Sequence, residues 1–111
     1  MKVLHLLSTN SYAGAENVAC QIIEMINGGN IECVYCSLDG RIRETLNNKN
    51  IKFLPIKKVK EKELEETVLA EKIDLIHSHD FRATYVAHKV CKKHKNIRLI
   101  SHIHGNDEKA T

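Results

Sequence analysis

Short apolar runs alternate with amphipathic stretches along this chain, and that alternation leaves few folds open to it. Residues 2–8 (KVLHLLS) are nearly continuous in apolar side chains, as a strand covered on both faces requires. After a polar loop over 9–13, residues 16–27 carry Val18, Ala19, Ile22, Ile23 and Ile26 at helical spacing. Gly28 and Gly29 then supply a left-handed stop. Residues 31–38 form a second strand, closed by Asp39 and Gly40, and a short helix over 42–47 leads to a third at 51–56, with Pro55 at its frayed end. Residues 57–72 are densely charged with Leu64, Val68 and Leu69 as a thin apolar stripe, the pattern of a solvated helix. A fourth strand occupies 73–77. A helix over 80–94 turns Ala83, Val86, Ala87, Val90 and Cys91 inward, and a fifth strand covers 97–103.

Strand and helix in this rhythm mean βαβ units and a parallel sheet. Right-handed crossovers with one reversal give a Rossmann-like, doubly wound α/β domain of three layers, with strand order 3-2-1-4-5. A chain of 111 residues holds one such domain. No helical segment follows the fifth strand, so residues 1–111 are expected to be part of a domain. That strand should lie at an edge where a second copy can pair to form a homodimer.

Composition removes several function classes. The net charge of +3 falls well short of the basic footprint of a nucleic-acid binder, so no nucleic acid is expected as partner. No apolar run approaches the ~20 residues that span a bilayer, and the run after Met1 and Lys2 is too short for a signal peptide. A reducing cytoplasm is therefore the expected setting. Aromatics are only 5% of residues, with no Trp, so the core must be aliphatic.

The cysteines fit that setting. Cys20 and Cys91 fall on apolar helix stripes, where a thiol acts as a small hydrophobe. Cys33 and Cys36 form a C-x-x-C within a strand, and residues three apart on a strand face opposite ways, so the two sulfurs cannot share a bond or a metal. Core packing is the reading for all four.

Ligands of open parallel sheets bind beyond the carboxyl ends of the strands. Polar and titratable residues collect at that edge here: TNSYAGAE after strand one, HSHD after strand four and HIHGND at the end of strand five. Gly14 precedes a helix start, where backbone N–H groups and the helix dipole favour an anion. It equally suits a plain turn, with Glu16 stabilising the first helical turn. His77 and His79, and His102 and His104, are H-x-H pairs that place each pair on one strand face, an arrangement that suits Zn²⁺. Strand-end geometry and cleft polarity also explain them, so no metal is expected. His5 reads as a satisfied core residue, and His88 and His94 as ordinary helix positions.

Three segments carry a resemblance. KVLHLLS followed by AGAEN resembles the first strand and glycine-rich loop of retaining GT-B glycosyltransferases of the family-four type. IDLIHSHD resembles that family's fourth strand, and RLISHIHG its fifth, ending in an apolar residue, histidine and glycine. Order and spacing agree from residue 2 to residue 107. The resemblance implies the N-terminal, acceptor-side domain of an enzyme that transfers a sugar from a nucleotide-sugar donor to a glycan or lipid-linked acceptor. The setting implied is cell-surface polysaccharide synthesis, with peripheral association at the inner face of the membrane and no cofactor besides the donor substrate.

The resemblance further implies that Ala13, Gly14 and Gly105 approach the donor diphosphate, Ala13 standing where the family has its first glycine. His104 would be the catalytic histidine near the donor sugar. Asn10, Glu16, His79, Asp80 and Arg82 would line the acceptor side of the cleft, and His102 replaces a small polar residue. The donor-binding C-terminal domain lies outside these residues, so the chain alone is expected to be inactive. The alternatives are a small flavodoxin-like binding or signalling domain and a metal-dependent hydrolase using the H-x-H pairs. Strand one ends in Ser8-Thr9-Asn10 and strand three in Pro55-Ile56, without the acids of a receiver domain.

Overall fold

The computed structural model describes residues 1–102. The elements follow in the order β1 (Lys2–Leu6), α1 (Gly14–Ile26), β2 (Glu32–Leu38), α2 (Ile42–Asn48), β3 (Lys52–Ile56), α3 (Glu61–Ala70), β4 (Leu75–Ser78), α4 (Phe81–Lys93) and β5 (Arg98–Ser101). All four ladders are parallel and the strand order is β3-β2-β1-β4-β5, as expected. Only β1 and β4 break sequence order as neighbours, so the winding reverses between them.

Side-chain alternation divides the interior in two. Leu4, Leu6, Val34, Cys36 and Ile76 face α3 and α4, meeting Leu64, Val68, Ala83, Val86, Ala87 and Val90. Val3, Leu7, Cys33 and Tyr35 face the other way, onto Ala19, Cys20 and Ile23 of α1 and Ile42 and Leu46 of α2. Each fully buried Leu or Ile contributes about 1.5–3 kcal/mol. Cys33 and Cys36 thus sit in different cores, and all four thiols are free. The charged run does form a helix, anchored by Leu64 and Val68 alone among its buried residues.

Several boundaries differ from the sequence reading. β1 ends at Leu6; the Leu7 N–H still donates to the Cys36 carbonyl of β2 at 3.0 Å, and the Ser8 N–H then turns to the Asp80 side chain. α1 begins two residues early, at Gly14, since Gly14 and Ala15 carry no apolar period to announce a helix. Its end is as expected: Gly28 and Gly29 have φ of 132° and 54°. Pro55 lies in β3, which is an edge strand and tolerates its missing N–H. β5 forms the opposite edge, and Ile100 on it is 48% exposed.

Candidate functional site

The reversal between β1 and β4 sends the loops that follow them off the same sheet edge in different directions. The loop after β1 is held by Glu16, which is only 4% exposed. Its carboxylate accepts from the Thr9 hydroxyl and, at 3.2 Å, from the Ala13 backbone N–H. Glu16 is the third residue of α1, so this is the carboxylate half of a capping box; Ala13 has no side-chain oxygen to provide the other half. The first turn of α1 consequently has no side-chain cap.

Gly14 opens that turn. Its φ lies outside the left-handed region, and a Cβ built on it meets nothing within 4 Å. The turn therefore has no need of a glycine there. The space above the start of the helix is open.

The loop after β4 is fixed by Asp80, the N-cap of α4. One carboxylate oxygen accepts from the Ala83 N–H at 2.8 Å and the other from the Ser8 N–H at 2.9 Å. A chain of hydroxyls runs behind it. Ser78 Oγ lies 2.7 Å from Thr84 Oγ1, which lies 2.9 Å from Ser101 Oγ and donates to the Asp80 carbonyl at 2.8 Å. Asn10 ties the first loop to the turn after β2, its amide donating to the Asp39 carbonyl at 3.0 Å. Gly40 is required by this approach, since a Cβ there would fall 2.7 Å from Asn10 Nδ2. Asn10 also borders a 560 Å³ pocket with Leu38, Asp39, Pro55, Ile56 and Lys57.

The remaining candidates scatter more widely. Arg82 is exposed on α4 and borders a separate 450 Å³ groove against the start of α3, beside Tyr85 and Lys60. His79 is fully buried, and its backbone N–H extends the β1 ladder by donating to the Leu6 carbonyl at 3.0 Å. His104 and Gly105 lie outside the described residues. The structure therefore brings Asn10, Ala13, Gly14, Glu16 and Asp80 to one sheet edge and holds His79 beneath it.

His5 departs from its sequence reading. Parallel pairing sets it directly opposite His77 on β4. Its Nδ1 is 3.0 Å from His79 Nε2, and the His77 and His79 rings stack with centroids 4.3 Å apart and planes at 10°. The His102 ring lies 5.8 Å from each of the latter two. His5 is fully buried, yet its Nε2 has no hydrogen-bond partner among the described residues, so it is not the satisfied core residue expected of it. Burial, with His77 beside it, holds its pKa down to about 3 and keeps the ring neutral. The Tyr35 hydroxyl, on the residue paired with His5 across β2, is likewise buried and without a described partner. His94 is conventional, with Nε2 2.6 Å from a Glu65 oxygen.

Compared with known proteins, the chain matches no family model, no curated protein and no solved structure.

Proposed function

We propose that the chain is the acceptor-side part of a retaining, sugar-nucleotide-dependent glycosyltransferase, acting on a glycan or lipid-linked acceptor at the cytoplasmic face of a membrane. The observation that carries the reading is Gly14: a glycine the backbone does not need, with open space over it, at the uncapped start of α1 beside the sheet reversal. Backbone N–H groups at such a helix start suit a diphosphate. The three motifs that resemble the glycosyltransferase family, in register over nearly the whole chain, give that anion its chemical identity.

Retaining transfer passes through an oxocarbenium-like state while the departing diphosphate gains negative charge. Groups that stabilise this separation must act on the transition state more than on the bound donor. In this reading the N–H groups around Gly14 face the diphosphate, and His104 offers an imidazole hydrogen bond near the sugar. Asp80 and Glu16 keep the loops rigid, because their carboxylates are occupied by backbone and hydroxyl donors.

The test follows backbone amide resonances of the chain during titration with nucleoside diphosphates. Shifts concentrated at residues 13–16 support the reading, and their absence at saturating ligand overturns the role of Gly14. In a protein carrying both domains, His104→Ala should lower turnover by about a hundredfold while folding survives.

A further inference from the structure

The cluster on the α1-facing side of β1 and β4 has the makings of a coordination site. His5, His77 and His79 each present a ring nitrogen within 4.8 Å of the other two. In a tetrahedral zinc site, bonds of ~2.0–2.1 Å put ligand nitrogens about 3.4 Å apart. His5 Nδ1 and His79 Nε2 are 3.0 Å apart and share a hydrogen bond, whose proton an ion bound between them would replace. Rotation about the broad terminal torsion of an imidazole closes the wider separations without moving the strands.

β1 and β2 hold unmet polar atoms on the far side of the His5 ring. The His5 Nε2 and the Tyr35 hydroxyl are buried polar atoms on a cross-strand pair, and neither has a partner among the described residues. Buried polar atoms are seldom left in that state without an ion or water to meet them. His77 is the least buried of the three and sits opposite the exposed Ile100 on the edge strand.

We propose that His5, His77 and His79 form a binding site for a divalent transition-metal ion of the Zn²⁺ class. Neutral imidazoles are the ligating form. An all-imidazole set suits zinc, copper, nickel or cobalt and disfavours calcium and magnesium, which demand oxygen. Three protein ligands leave a fourth position on the ion. His102 stands farther out and is not needed to close the three-ligand set. The site shares only His79 with the residues the glycosyltransferase reading places on the acceptor side, and uses none of those it assigns to the diphosphate.

The experiment uses the tag-free chain stripped with chelator and titrated with Co²⁺ by visible absorption, followed by displacement with Zn²⁺. The expected result is tetrahedral Co²⁺ bands saturating at one ion per chain. His5→Gln, His77→Ala and His79→Asn should each weaken binding by about a hundredfold or more, and His102→Ala by about tenfold at most. His88→Ala, at an exposed helix position, should change nothing. Should His5→Gln fail to fold, His77→Ala, at the half-buried rim, carries the test with its far-UV circular dichroism verified. Absence of binding in the wild type, or affinity unchanged by His77→Ala, overturns the proposal. No nucleotide or sugar enters the measurement, so its failure leaves the glycosyltransferase reading untouched.

Discussion

Asp80 and Ser8 are 72 residues apart in sequence, yet the Asp80 carboxylate accepts the Ser8 backbone N–H at 2.9 Å. Its other oxygen caps α4 through the Ala83 N–H. One side chain thus fixes both loops that leave the sheet at its reversal. Loss of an N-cap costs about 1 kcal/mol, and a half-buried N–H left without its partner costs about as much again. Asp80→Ala should therefore destabilise the fold by about 2 kcal/mol. Urea denaturation measures this, and an unchanged midpoint would show that the link carries no stability.

Glu16 does for the first loop what Asp80 does for the second. Its carboxylate is buried and takes two donors, Thr9 and Ala13. Hydrogen bonds to a charged group are worth about 1.5–3 kcal/mol each, and with one of these at 3.2 Å the expected loss for Glu16→Ala is about 2–3 kcal/mol. Glu16→Gln keeps one acceptor oxygen and should lose less. Thermal melts of both variants give the comparison, and equal losses would contradict it.

Gly14→Val separates folding from binding. The new Cβ meets nothing within 4 Å, so stability should change by less than about 1 kcal/mol. It does occupy the space above the helix start, so affinity for a nucleoside diphosphate should fall. Calorimetric titration is the check, and undiminished affinity in a correctly folded Gly14→Val chain would remove Gly14 from the site.

At the opposite edge of the sheet, Glu71 bonds Lys2 of β1 at 2.9 Å and Lys52 of β3 at 3.3 Å. The Lys2 ammonium first, then Lys52, holds its carboxyl below the usual carboxylate range. A carboxyl with a lower pKa folded than unfolded stabilises the fold above the unfolded value of ~4.3, and the contribution disappears as pH falls through the folded value. Stability should drop on that acid limb, and Glu71→Gln should flatten it. Added salt should flatten it too, because the pair is near solvent. A limb unaffected by the substitution would assign the acid sensitivity elsewhere.

Strand order was legible in the sequence because apolar runs, glycine stops and right-handed crossovers leave one arrangement for a chain of this length. The separation of Cys33 from Cys36 was legible for a simpler reason, the two-residue period of a strand. His5 was not. Its partners lie more than seventy positions away, and only the register that pairs it with His77 reveals them. No local periodicity encodes that register. The tie from Asp80 to Ser8 was hidden in the same way. Gly14 looked ambiguous because a letter does not carry a dihedral angle; the angle shows that the turn does not demand a glycine.

The distribution of thiols between the two cores gives the chain a pair of built-in clocks. Burial pushes Cys36 up to about 12 and Cys20 up to about 11, so neither presents a reactive thiolate at neutral pH while folded. A thiol reagent meets Cys36 only after the α3–α4 layer lifts, and Cys20 only after α1 peels away. If the sheet and both layers open as one cooperative unit, the two sulfurs modify at the same rate. If one layer is looser, its sulfur runs ahead, and the interval between them measures how independently the two sides of this small sheet breathe.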